Sequence, residues 1–189
     1  MLKSRQIDLV RLPSTLVFQG FFIAAVRHYL YRGRTLMQHK ISIMPYSPEF
    51  SEQTVAMWRD SKEQAIGQKE MHSVENHIYF LNHILPEQFQ IDLAFIEETV
   101  VGMIAYNDSE ISQLYIRNEY QGCGIGQTLL NKVKVQSSGR LTLYTFEVNE
   151  KAQRFYEKHG FEVIGRGHEN EENLPDIQYE WIRQNDNAY

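Results

Sequence analysis

The stretch from Ile111 to Leu130, ISQLYIRNEYQGCGIGQTLL, decides how the rest of the chain is read. Glu110 to Ile116 has the make-up of a strand, and Ile125, Leu129, Leu130 and Val133 mark the apolar stripe of a helix. Between them stand three glycines, Gly122, Gly124 and Gly126. Glycine lets backbone N–H groups approach a phosphate closely, and a helix N-terminus adds partial positive charge. The alternative is a tight turn that only packs the helix on the sheet. Two nucleotide-loop readings fail on detail. A Walker loop needs Gly-Lys-Ser/Thr, whereas Gly126 is followed by Gln127 and Thr128. A dinucleotide fingerprint needs GxGxxG after the first strand of a βαβ unit, and this spacing is different.

Outward from the loop, periodicity alternates between strand and helix. Upstream, Ile41 to Met44 is a short strand, Phe50 to Ser61 a helix, and Ile66 to His72 a polar connection. Val74 to Ile84 reads as a second helix stopped by Pro86. Period-two alternation at Ile91, Leu93 and Phe95, a turn at Glu97-Glu98 and a return over Thr99 to Tyr106 lead into the Glu110 strand as a meander. Downstream, Leu141 to Val148 is a strand and Asn149 an N-cap for a helix over Glu150 to His159. Gly160 ends that helix, and strands follow at Phe161 to Ile164 and around Ile177, Tyr179 and Trp181. The order βααβββαβαββ predicts an α/β fold with a mixed central sheet of about seven strands and helices on both faces.

The loop and its flanks resemble motif A of the GNAT acetyltransferases, with Gln121, Gly124 and Gly126 on the family's Gln/Arg-x-x-Gly-x-Gly/Ala pattern. Asn149-Glu-Lys-Ala152 and Phe155-Tyr156-Glu-Lys-His-Gly160-Phe161 resemble motif B. The resemblance covers about Ile41 to Arg183 and is to the small, bacterial-type members. It implies the GNAT acyl-CoA N-acyltransferase fold over residues 41–189, with acetyl-CoA as co-substrate.

The resemblance also implies roles. The backbone of Leu114, Tyr115 and Ile116 would pair with the pantetheine arm. The loop amides of Gln121, Gly122, Cys123, Gly124, Ile125 and Gly126 would hold the pyrophosphate. Asn149, Ala152 and Phe155 would line the channel. Tyr156 would donate a proton to the departing thiolate, chemistry open to a phenol of pKa about 10. The alternative for Tyr156 is a core tyrosine on a buried helix face. The reaction implied is direct attack of a neutral amine in a ternary complex, with a backbone N–H at or near Ile116 polarising the carbonyl. The base stays open among Glu110, Gln113, Glu147, His72 and His77, each also readable as an ordinary polar group. Lys132, Lys134 and Arg154 are candidates for the 3′-phosphate, or solvated helix charges. Cys123 is not read as a nucleophile.

Composition bounds the rest. The 189 residues suffice for one domain, and a single cysteine excludes an internal disulfide and fits a reducing compartment. The seven histidines show no metal-ligand spacing, so no metal is expected. Residues 1–40 carry +6, leaving −11 for the remainder of a chain of net charge −5. That acidic body argues against nucleic acid as a partner. The apolar run Leu16 to Val26 is too short to span a bilayer, so no integral membrane segment is expected. Residues 1–40 are read as a dispensable extension, a docking helix or a targeting segment. The expected location is cytoplasmic, and the partner a small-molecule amine or a peptide acceptor. A homodimer is compatible with the resemblance, and a noncatalytic acyl-CoA-binding module is the competing reading.

Overall fold

The structure, a computed structural model, describes residues 17–18, 21–25 and 40–184. Two short strands, β1 (Val17–Phe18) and β2 (Phe21–Ala25), precede β3 (Lys40–Pro45), and β2 pairs antiparallel with β3. The expectations for the rest of residues 1–39 lie outside the described residues. The sheet continues through β4 (Gln90–Ile96), β5 (Thr99–Tyr106) and β6 (Ile111–Ile116), antiparallel throughout, in the order β1-β2-β3-β4-β5-β6. A second antiparallel sheet holds β7 (Arg140–Phe146), β8 (Glu162–Gly167) and β9 (Asp176–Ile182) in the order β7-β9-β8.

Helices cover both faces of the first sheet because its strands alternate. Along β4, Ile91, Leu93 and Phe95 pack toward α1 (Ser51–Ile66) and α2 (Val74–Tyr79), while Ala94 and Ile96 join the core of the other face. That core is filled by Ile125, Leu129, Leu130 and Val133 of α3 (Ile125–Gln136) and by Tyr156 of α4 (Glu150–Lys158). A strand buried on both faces reads as a continuous apolar run, which β5 shows. The predicted element order from residue 40 onward is the observed one.

Three details differ from the sequence reading. The first helix runs on to Ile66, where Gly67 at φ 72° caps it. The expected helix over Val74 to Ile84 is α2 followed by a π-helical turn at Phe80–Ile84. The mixed character of the sheet rests on a parallel bridge between Glu110 and Thr142. From there β6 and β7 diverge. The register of β6 slips at Ser112, where Gln113 pairs Ala105 but Ile111 pairs Tyr106. Such a bulge bends a strand and sharpens its twist.

Candidate active site

The divergence of β6 from β7 makes a cleft of about 880 Å³, walled by β6, the glycine loop, α4 and one face of α1. Leu114, Tyr115 and Ile116 form its floor, and Gln121, Gly122, Gly124 and Gly126 its end. Asn149, Ala152, Phe155 and Tyr156 close the opposite side. Two residues of the predicted set do not line it. Ile125 is buried in the core, and Cys123, whose thiol burial pushes above its ordinary range, faces elsewhere. As first residues of a helix and its loop they reach the cleft only through the main chain.

The floor presents main-chain groups. Arg117 N donates to Val101 O at 2.9 Å, so at position 117 the backbone faces β5. Successive strand residues alternate sides, so Leu114 and Ile116 turn their N–H and C=O toward the gap. Ser61 Oγ donates to Ile116 O at 2.9 Å and Gln121 Nε2 does so at 3.2 Å, from the cleft side. These bonds satisfy the Ile116 carbonyl and leave its N–H facing the cleft.

In the loop, Gly122 and Gly124 adopt φ of 80° and 82°, a region that penalises any Cβ. The Gln121 and Cys123 amides are engaged internally, with Asn118 O at 3.4 Å and Tyr120 O at 3.3 Å. The first-turn amides of α3, at Ile125, Gly126 and Gln127, have no intrahelical acceptor, as at any helix start. The predicted run of six donating amides is thus narrower. A Cβ at Gly126 would stand 3.4 Å from the Phe155 ring and 3.7 Å from Ile116, filling the passage between them. A main-chain cradle with an anion-favouring helix end and a Gly-widened channel fits an acyl-CoA.

The lysines proposed for the 3′-phosphate are used elsewhere. Lys132 Nζ sits 2.5 Å from Asp92 Oδ2, which also accepts from Tyr106. Lys134 donates to His159 O and lies over the Phe161 and Trp181 rings. Arg154 does line the cleft, paired to Glu150 at 3.0 Å.

Asn149 Oδ1 accepts from Ala152 N at 3.1 Å and caps α4, which places Tyr156. The Tyr156 ring packs between Phe155 and Phe161, and the residue is 7% exposed. Burial, with neighbouring Tyr115 as the second cause, pushes its phenol above the ordinary 10.0. It therefore stays protonated at neutral pH.

A second cleft of about 690 Å³ lies on the α1/α2 side, and Tyr115 lines both. Its ring stacks on Trp58 at 5.7 Å. Among the candidate bases, Gln113, His72 and His77 line this cleft, whereas Glu110 and Glu147 line neither. Glu147 is paired with Arg166. Arg59 Nη1 lies 3.0 Å from His77 Nδ1, and Glu70 Oε2 lies 3.5 Å from Nε2. Arg59 can only donate and the Ser73 carbonyl, 3.2 Å from the same Nδ1, can only accept, so the two contacts call for opposite tautomers. Both ring nitrogens of His77 thus face protein groups, Nδ1 toward Arg59 and Ser73 and Nε2 toward Glu70. Sequence reading missed Lys62, Glu171 and Glu172 here. Lys62 Nζ bridges Glu70 at 2.9 Å and Glu172 at 2.5 Å, and His72 meets Glu171 at 2.8 Å. The acidic run at 169–172 reads as solvated loop, and nothing local marks its reach to α1.

Residues 88–163 match the acetyltransferase (GNAT) domain model. The spermidine N(1)-acetyltransferase of Thermoplasma acidophilum is 30% identical over 130 residues, covering 62% of this chain and 73% of that protein. The chain belongs to the GNAT family of N-acetyltransferases. The peptidyl-lysine N-acetyltransferase YjaB of Escherichia coli is 35% identical over 66 residues, an alignment spanning 44% of its length. In structure, apo YjaB superposes with TM-score 0.63 and 25% identity, over 76% of this chain and 99% of YjaB. The PaiA N-acetyltransferase of Thermoplasma acidophilum, in complex with coenzyme A, gives 0.59 and 25%, over 75% and 98%. Among the described residues of this GNAT protein, no group of three or more His, Cys, Asp or Glu is arranged to hold a metal, and no helix is long and apolar enough to cross a membrane.

Proposed function

We propose that this GNAT protein transfers the acetyl group of acetyl-CoA to a primary amine, by direct attack with both substrates bound. The observation that carries this is the meeting of two clefts at Tyr115, one framed by the glycine loop and Tyr156, the other open to an acceptor. The amine nitrogen forms a bond to the acetyl carbon as the carbon–sulfur bond breaks. The amine proton leaves to water in the second cleft, Tyr156 gives its phenolic proton to the departing thiolate, and the phenolate then takes a proton back from water. The free N–H of Ile116 polarises the thioester carbonyl or pairs with the pantetheine amide beside it. The amides of α3 and its glycine loop hold the pyrophosphate. Lys151, Arg154 and Lys158 line the cleft and are the cations available to the 3′-phosphate.

The acceptors named for relatives, spermidine and peptidyl-lysine, are both primary amines, which supports that class. The test is calorimetric titration with acetyl-CoA of the wild type and of Gly124→Glu, which adds a carboxylate and a side chain at φ 82°. Binding that the substitution weakens at least about a hundredfold, some 2.7 kcal/mol, is the expected result. A folded wild type that does not bind acetyl-CoA would overturn the assignment.

A further inference from the structure

The second cleft indicates what kind of amine is acetylated, given the acetyl-transfer reading above. We propose that the acceptor is a primary amine carried on an apolar, aromatic body, an arylalkylamine, rather than a polyamine or a lysine side chain. Two independent features of the cleft carry this.

The first is its walls. Trp58, Tyr79, Phe80, Tyr115, Tyr144 and Phe146 line it. Tyr79 and Tyr144 are each 59% exposed and Phe80 36%, so the chain leaves large ring faces uncovered where the cleft opens. Uncovered rings gathered around one concavity mark a binding surface, whereas isolated ones need no explanation. The π-helical turn at Phe80–Ile84 turns Phe80 and Ile84 into this cleft while Leu81 stays buried. Such turns recur at functional sites. A cleft of about 690 Å³ falls in the range of small-molecule sites.

The second is its charge. A polyamine needs a carboxylate for each further ammonium. The carboxylates here already have partners. Glu172 and Glu70 hold Lys62 between them, and Glu171 holds His72. Glu70 also faces the Nε2 of His77, whose other nitrogen takes Arg59. A second ammonium would compete with Lys62 and His72 for partners. An aromatic body competes with nothing but water, and stacking and edge contacts with Phe80 and Tyr144 hold it beside the reacting amine.

The experiment is steady-state thiol release by the full chain with acetyl-CoA and three acceptors: 2-phenylethylamine, spermidine and a lysine-containing peptide. We expect kcat/KM for the arylalkylamine to exceed both others by at least about tenfold. Tyr144→Ser and Phe80→Ala should each raise its KM about tenfold and leave the KM for acetyl-CoA unchanged. Because Tyr144 is largely exposed, its replacement spares the fold. In parallel, quenching of tryptophan emission in the coenzyme A complex should report 2-phenylethylamine reaching Trp58. Faster turnover of spermidine or of the peptide, or variants with unaltered KM, would overturn the acceptor class while acetyl-CoA binding still stood. Failure to bind acetyl-CoA would remove the transfer reading and this inference together.

Discussion

Tyr156 has two partners that pull in different directions, a packed aromatic core around its ring and an open cleft at its edge. Its hydroxyl makes no hydrogen bond to another described residue, so removing it leaves no orphan behind. Tyr156→Phe therefore keeps the ring contacts with Phe155 and Phe161 and removes only the proton. Loss of a general acid costs about a hundredfold or more. We expect kcat to fall by about that factor with acetyl-CoA affinity and melting temperature unchanged, read by single-turnover kinetics beside calorimetry. A tyrosine that was merely core would leave kcat where it is. At this scale the sequence was readable for residues whose placement rests on near neighbours. Gly122, Gly124 and Tyr156 sit in short motifs whose geometry is local. Lys132 and Lys134 were not readable, because their engagement depends on Asp92, 40 positions away, and His159, 25 away.

Among the elements, α4 is the one on which the site depends. It has nine residues, too few to hold as a helix on its own, and it carries Ala152, Phe155 and Tyr156. Its start is fixed by Asn149 Oδ1 on Ala152 N. Asn149→Ala should cost about 1 kcal/mol of stability by denaturant titration, and Asn149→Asp, which also caps, little of it. The pair of variants separates two roles. If acetyl-CoA affinity falls for Asn149→Ala and recovers for Asn149→Asp, the residue acts through the helix. Affinity lost in both would mark direct contact of its amide with the substrate. The cap and the Gly160 stop were legible because each is a residue-type preference at one position. The π-helical turn at Phe80–Ile84 was not, since five residues of apolar spacing fit an α- and a π-turn alike. The place of the bulge at Ser112 was not legible, because register is settled by the partner strand and not by β6 alone.

At the scale of the whole molecule, the two sheets touch through the Glu110–Thr142 bridge and then part, so other contacts must tie the halves. One tie is the charged cluster in which Lys62 of α1 meets Glu172 of the β8–β9 loop. His77 lies inside that cluster, packed edge-on to Trp58 and facing Arg59, Glu70, His72 and the Ser73 carbonyl. Burial lowers its pKa from 6.5 in the folded protein, more than the Ser73 carbonyl and Glu70 raise it. A histidine depressed in this way binds a proton more readily when unfolded. Its contribution to stability is therefore complete above about pH 6.5 and is lost as pH falls from there toward the folded-state value. Arg59 adds to the cost, because its positive charge lies beside the ring that would be protonated. We expect the melting temperature to decline between pH 7 and pH 5, and His77→Gln, which keeps an acceptor but does not titrate, to flatten that slope. A wild-type midpoint independent of pH across this interval would mean that His77 titrates alike in both states. If His77→Gln kept the full slope, other groups would carry it.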